Sequence, residues 1–253
     1  MESTVRIVGT GHMASHLTRM MMLSGVRVML YGRDSARVVS HATEWGCMYG
    51  GEISAITEED VLTFLAVSDD HIHTISQQLS PNVPVVHLSG MTDISVLQQA
   101  SAGVCWPLQS MHGHNIIDYP SVPWFLEAKH DSMLVRLEHV FRNISNSVHR
   151  ISSEQRVLVH AAAVFANNFS NHLIGKAGQI LDKLEISRSV LLPILDLNLR
   201  SIHDHRAEEI QTGPARRGDI MTIQKQLEAL AEYPELAELY QQLSRSILKD
   251  YHS

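Results

Sequence analysis

Cysteine is nearly absent. Only Cys47 and Cys105 occur in 253 residues, at no paired spacing. That excludes a disulfide framework and argues against a structural zinc site, and it fits a reduced thiol pair. Long apolar runs are absent too. The densest stretches, 20–23 and 161–166, fall far short of the ~18 residues that span a bilayer. There is no block of basic residues. Twenty Lys and Arg against 27 Asp and Glu leave a net charge of −7, which argues against nonspecific binding to nucleic acid or anionic membranes. Val5 to Val8 opens a strand pattern at once, so no secretory leader is expected and a cytoplasmic location is. Histidine, by contrast, is abundant, with 16 residues. Three His-x-His pairs stand out: His71/His73, His112/His114 and His203/His205. The outer two fall on expected helices, where i and i+2 do not share a face. The middle one lies in a loop near Asp118. No His-Glu-x-x-His or Cys-x-x-Cys is present, and no catalytic metal is expected.

The first 150 residues or so alternate between short apolar runs and helical patterns. Strands are expected at 5–8, 26–30, 62–67, 83–88, 103–106, 122–127 and 147–151. Helices are expected at 11–24, 34–45, about 70–79, 93–100 and about 131–142. Continuous apolar strands between helices indicate a parallel sheet covered on both faces. The period changes near Ser152, after which only helices are expected. Ser152 and Gln155 form a capping-box pattern for a helix reaching about Leu184, with Gly175 and Gly178 as places to bend it or admit a neighbour. A second helical stretch is expected over 189–211 with Pro193 in its first turn. A break follows at 212–218. Asp219 then caps a helix ending near Glu232, and Pro234 opens the last one. The expected fold is α/β, a doubly wound Rossmann-type parallel sheet over 1–151 followed by an all-helical domain over 152–253.

The strongest motif is Gly9-Thr10-Gly11-His12-Met13-Ala14, a G-x-G-x-x-A loop between a strand and a helix. Gly9 permits the tight turn, Gly11 lets a pyrophosphate approach the backbone, and Ala14 allows close helix–strand packing. Thr10, His12 and Met13 complete the loop. The helix N-terminus adds unpaired amides and a favourable dipole for phosphates. The second strand ends at Tyr31-Gly32 without an acid at its tip. Arg33 follows, with Ser35 close by, and a guanidinium and a hydroxyl suit a 2′-phosphate. NADP is therefore expected over NAD. Asp34 complicates this pattern, but it is a natural N-cap. Val67-Ser68 and Ser89 lie at strand carboxyl ends, where small residues leave room for the nicotinamide half. Asp69 or Asp70 reads as a helix cap.

Two constellations lie in the helical half. At ~100° per residue, Asn167 and Asn171 fall within about 20° of His160 on the helix wheel, with Asn168 some 80° round. This polar stripe on an apolar helix either fixes interhelical packing or meets a ligand. His160 is the candidate for proton transfer, because imidazole titrates near neutrality. Asn167, Asn168 and Asn171 would orient a carbonyl or imine. Arg216 and Arg217 sit on an interhelical turn that is either plain surface or a clamp for a carboxylate or phosphate.

The segments Gly9 to Ala14, His87-Leu88-Ser89-Gly90 and Pro107-Leu108-Gln109-Ser110 resemble the first half of Rossmann-like proteins carrying a DUF2520 C-terminal domain. Residues 160–168 and Thr212-Gly213-Pro214-Ala215-Arg216-Arg217-Gly218-Asp219 resemble their second half. The resemblance spans nearly the whole chain. It implies an NADP oxidoreductase related in architecture to 6-phosphogluconate dehydrogenase, ketopantoate reductase and pyrroline-5-carboxylate reductase. It also implies a helical domain that commonly dimerises and an active site between the two domains. Two positions depart from the pattern: His12 stands where Asn is expected, and Trp106 precedes Pro107 where relatives carry His. No equivalent of the relatives' catalytic lysine is evident. Lys176 is the only lysine on the long helix before Lys183. The favoured reading is a cytosolic, homodimeric NADP-dependent reductase or dehydrogenase of a small carboxylate-bearing keto, hydroxy or imino compound. The alternative is an NADP-binding sensor or partner protein without turnover.

Overall fold

The computed structural model describes residues 4–111 and 117–252. His112 and His114 lie outside them. The chain divides into two compact units, Met1–Ala166 and Asn167–Ser253.

The first unit is built on one eight-stranded sheet. Its strands are β1 (Thr4–Val8), β2 (Arg27–Gly32), β3 (Met48–Glu52), β4 (Thr63–Leu65), β5 (Val85–His87), β6 (Ala102–Pro107), β7 (Trp124–Ala128) and β8 (Val148–Arg150). Their order is β3-β2-β1-β4-β5-β6-β7-β8. Every neighbouring pair is parallel except β6 and β7. The Rossmann-type sheet read from the sequence is thus present, extended by an antiparallel turn-back. Helices α1 (His12–Leu23), α2 (Ser35–Trp45), α3 (Asp69–Gln78) and α4 (Asp131–Phe141) pack against it. Adjacent strand residues serve opposite faces, as a period of two demands. Ile7, Phe64 and Val86 join Leu17 and Leu137 in one core, while Val8, Leu65 and Val85 join Ile72 and Ile75 in another.

Two expectations need correction here, and one strand lies outside them. The helix expected over 93–100 is a single 3-10 turn, Ile94–Val96. Side chains divert the rest of the segment. The Gln99 amide donates to Ser76 O at 2.8 Å, and Ser76 Oγ accepts from Gln98 N at 3.0 Å, in place of helical bonds. Strand β3 was not foreseen. It is a glycine-containing edge strand whose Met48 and Tyr49 are exposed, so it has no buried apolar run to reveal it. The N-cap of α3 is Ser68, with Asp69 and Asp70 in its first turn.

The strand pattern ends at β8, but the first unit continues through α5 (Ser153–Ala163). Ser152 and Gln155 close the expected capping box there. Ser153 N and Oγ donate to Glu127 Oε1 on β7 at 3.1 and 2.9 Å, docking the helix on the sheet. A π-helical stretch follows, Val164–Phe169.

The second unit carries α6 (Ser170–Lys183), α7 (Leu192–Asp204), α8 (Pro214–Arg217), α9 (Ile220–Ala229) and α10 (Pro234–His252). Pro193 lies in the first turn of α7, as expected. That helix stops at Asp204, short of the expected 211. The expected break at 212–218 contains the short α8. Asp219 caps α9 by accepting from Thr222 N at 3.1 Å. Gly178 makes room for the Arg188 side chain; a Cβ there would lie 2.9 Å from its Cδ. Among the described residues, no helix is long and apolar enough to cross a membrane.

Candidate functional site

The carboxyl end of β1 opens into a cavity of about 380 Å³ that lies wholly within the first unit. Gly9 makes the turn with φ 130° and donates to Tyr31 O at 2.9 Å. Any Cβ on it would run into the Ala66 carbonyl oxygen, so glycine is required on both counts. Gly11, the N-cap of α1, has no side-chain cap, and the first turn has no acid. The first helical bond is Ser15 N to Gly11 O, at 3.0 Å. The amides of that turn therefore have no side-chain partner from the cap. Nothing lies within 4 Å of a Cβ built on Gly11, so the backbone is open to close approach. Ala14 is fully buried beneath the loop.

Thr10, His12 and Met13 line the cavity, as do Arg33 and Arg37 on its far side and Val67 and Ser68 at the tip of β4. Asp34 is used as the N-cap of α2, accepting from Arg37 N at 3.1 Å, and this sets Arg33 and Arg37 on either side of the helix start. Ser35 is not part of the lining; its hydroxyl donates to Glu52 Oε1 at 3.1 Å. His71 lines the cavity from α3, its Nδ1 2.8 Å from Ser68 Oγ.

Ser89, after β5, is the centre of a buried knot. Its Oγ donates to Asp69 Oδ2 at 2.7 Å and accepts from Met91 N and Thr92 N at 3.1 and 2.9 Å. Its amide donates to His87 Nδ1 at 3.2 Å, and its carbonyl accepts from Arg156 Nη1 at 2.9 Å. Burial, aided by the Arg156 charge, pushes the His87 imidazole down to about 3. Half-burial pushes the Glu127 carboxyl up. With its polar atoms committed in this way, Ser89 has space rather than hydrogen bonds to offer a ligand.

His160 belongs to the same unit. Its ring lies over Trp106, centroids 5.5 Å apart at 36°, and Trp106 lies 5.5 Å from Phe125. A Cβ on Gly90 would come within 2.8 Å of both His160 Cδ2 and Trp106 Nε1. The half-buried imidazole is thus seated beside the carboxyl ends of β5 and β6, the side of a parallel sheet where ligands bind.

Asn167, Asn168 and Asn171 are exposed residues of the second unit. Asn167 and Asn168 lie within the π-helical stretch Val164–Phe169, which winds by fewer degrees per residue than an α-helix, and Asn171 lies just beyond it on α6. Arg216 and Arg217 are exposed on α8. The Arg216 guanidinium lies 4.2 Å over the Tyr251 ring, and its carbonyl is 3.0 Å from His252 Nε2. Among the described residues, no group of three or more His, Cys, Asp and Glu is placed to hold a metal ion.

The family model described as "Domain of unknown function (DUF2520)" matches residues 122–247. The chain carries a DUF2520 domain. A Bacteroides fragilis structure described as a "putative NADP oxidoreductase" is 28% identical, with a TM-score of 0.84 over 98% of each chain. A Thermotoga maritima protein is 22% identical, with a TM-score of 0.78 over 98% of this chain and 100% of its own. A reductive aminase from Aspergillus terreus, in complex with NADPH and ethyl levulinate, is 14% identical, with a TM-score of 0.74 over 98% of this chain and 93% of its own. At those identities the latter two show the fold alone. A comparison with the curated proteins finds no match. The DUF2520 match begins in the first unit, just before β7, so the family domain includes the edge of the sheet as well as the helices.

Sequence reasoning missed three residues of this candidate region. Arg37 is four residues beyond Arg33, just inside a helix start already marked by Asp34. His71 follows Ser68 at the carboxyl end of the fourth strand, and its pairing with His73 draws attention to metal binding instead. Arg156 stands one helical turn before His160, and the wheel that selected the asparagines would have selected it as well.

Proposed function

We propose that this protein is an NADP(H)-dependent reductase or dehydrogenase acting on a small keto, hydroxy or imino compound. The observation that carries the reading is the cavity at the uncapped N-terminus of α1, faced by Arg33 and Arg37. Its residues fit a phosphorylated dinucleotide. The open side of Gly11 and the first-turn amides suit a pyrophosphate. Two guanidinium groups suit a 2′-phosphate, which they can bind bidentately. Gly9, Thr10, Gly11, His12 and Met13 would hold the cofactor through the loop, with Ala14 keeping the helix close. Arg33 and Arg37 would select its phosphate, and Ser35 would take part only by releasing Glu52. Val67, Ser68 and the space beside Ser89 would accept the nicotinamide half. When bound, such a cofactor supplies hydride exchange. The Bacteroides fragilis relative, at 28% identity, supports the assignment.

The chain's own part is to move a proton and orient the substrate. His160 is the proton donor or acceptor of this reading, since imidazole exchanges protons near neutral pH. Asn167, Asn168 and Asn171 are assigned to orienting a carbonyl or imine, and Arg216 and Arg217 to holding a carboxylate. Homodimerisation through the second unit belongs to the same reading. Leu192, Ile194, Leu197 and Leu199 of α7 are each more than half exposed, an apolar surface that a second copy would cover.

The test is NADPH consumption across a panel of 2-oxo acids and cyclic imines. One member should be turned over, and His160→Ala should abolish that turnover while leaving NADPH affinity nearly unchanged. NADPH binding with no turnover on any member would instead favour a sensor.

A further inference from the structure

Arg156 is 1% exposed, and a desolvated guanidinium is costly unless its donors are paired; both of its Nη atoms are, while its buried Nε has no hydrogen-bond partner. Nη1 donates to Ser89 O and Thr92 O at 2.9 Å each. Nη2 donates to Thr92 O at 2.9 Å, Ser153 Oγ at 3.0 Å and Glu127 Oε2 at 3.1 Å. One side chain thereby joins three segments remote in sequence: the turn after β5, strand β7 and helix α5. Ser89 and Thr92 bracket Gly90, the residue on which His160 and Trp106 converge. His160 follows Arg156 by four residues, so both lie on one face of α5.

We propose that Arg156 is the positioning residue of the site, holding the Ser89–Thr92 turn against α5 so that His160 is fixed over Gly90 and Trp106. The proposal rests on the reading of His160 given above. The guanidinium does not touch the reacting groups. It acts by setting the two surfaces between which the imidazole sits. Lysine at this position keeps the charge but has one nitrogen, which cannot span Ser89 O, Thr92 O and Glu127 together. The turn and the helix would then be free to shift relative to each other, and small misplacements of a catalytic group are expensive in rate. Arg6 supplies the contrast. It is 2% exposed and bonded to Thr57 and Glu59, with no link to His160.

The test uses the full-length protein and a signal that does not need turnover. A protonated imidazole packed against an indole, as His160 is against Trp106, quenches its fluorescence. Tryptophan emission is titrated from about pH 5 to 8, where imidazoles change charge. The step lost in His160→Gln is the His160 signal. Arg156→Lys should keep the far-UV spectrum and NADPH affinity of the wild type but lose most of that step, whereas Arg6→Lys should retain it. With a substrate in hand, Arg156→Lys should lower kcat by about tenfold or more with the KM for NADPH unchanged. Should Arg156→Lys fail to fold, Glu127→Gln, which removes the charge partner of Arg156, must weaken the same step. A full His160 step in Arg156→Lys would overturn the proposal. So would an equal loss in Arg6→Lys, or the absence of any difference between wild type and His160→Gln. Absence of turnover on every substrate would sink the reductase reading alone, because the fluorescence step still decides where Arg156 holds His160.

Discussion

The two units bury their side chains in opposite ways. The first places apolar residues on both faces of its sheet and hides charged groups among them, Arg6 and Arg156 included. Among the described residues of the second, only Ala215 and Ile223 are buried hydrophobics, while leucines and isoleucines of α7 stand in the open. Its ion pair Arg188–Asp182 is exposed as well. The difference teaches where each unit's order comes from. A sheet closes its own hydrogen bonds and core within one chain, so it can hold a buried polar knot rigid. Helices that leave an apolar face uncovered draw stability from whatever covers it.

The comparison can be broken first at its buried polar groups. His87 provides the largest expected effect. Its imidazole is lowered from 6.5 to about 3 in the folded chain, so in that window the unfolded chain binds the extra proton. Stability from His87 is fully present above about pH 6.5 and is lost as pH falls towards 3. At full extent this is on the order of 4–5 kcal/mol. Urea midpoints measured against pH should show that acid limb, and His87→Gln should flatten it. An unchanged slope would contradict the burial argument. Next comes Arg156→Met, which strands Ser89 O, Thr92 O and Glu127 and should cost about 3–5 kcal/mol by urea unfolding. Arg188→Met in the second unit should shift the midpoint hardly at all, since its pair stands in solvent. Comparable losses at the two sites would erase the contrast.

The smallest effect on the fold of one chain is expected on α7. Leu197→Lys should change the stability of a single chain by no more than about 0.5 kcal/mol. Light scattering of the wild type should give about twice the 28.3 kDa chain mass, and the variant should give the mass of one chain. A wild-type monomer with α7 uncovered would mean that the second unit tolerates its exposed face unaided.

Much of the first unit was legible because buried parallel strands are continuous apolar runs, and the Gly9–Ala14 loop marks where the first of them ends. What escaped follows from weaker physics. β3 lies at the edge with Gly50 and Gly51 in place of branched residues. Side-chain bonds from Ser76 and Gln99 override the helical pattern over 93–100. The π-helical turn at 164–169 leaves no trace in composition, and the 100° per residue of an α-helix does not apply within it. In the site, the glycine loop and Arg33 were legible from spacing alone. Arg156 shares a helix face with His160 by spacing, but an arginine in an amphipathic helix reads as a solvated charge until the fold shows it enclosed.

The central claim is that the cavity beside Gly11 is built for a dinucleotide carrying a 2′-phosphate. Titration of the wild-type chain with NADPH and with NADH, followed by nicotinamide fluorescence, tests it most directly. One charge-assisted pair contributes on the order of 1.5–3 kcal/mol, so NADPH should bind about tenfold or more tightly than NADH. Arg33→Ala should remove most of that preference, and Arg37→Ala part of it. Equal affinities for the two nucleotides, or a preference that survives both substitutions, would contradict the account.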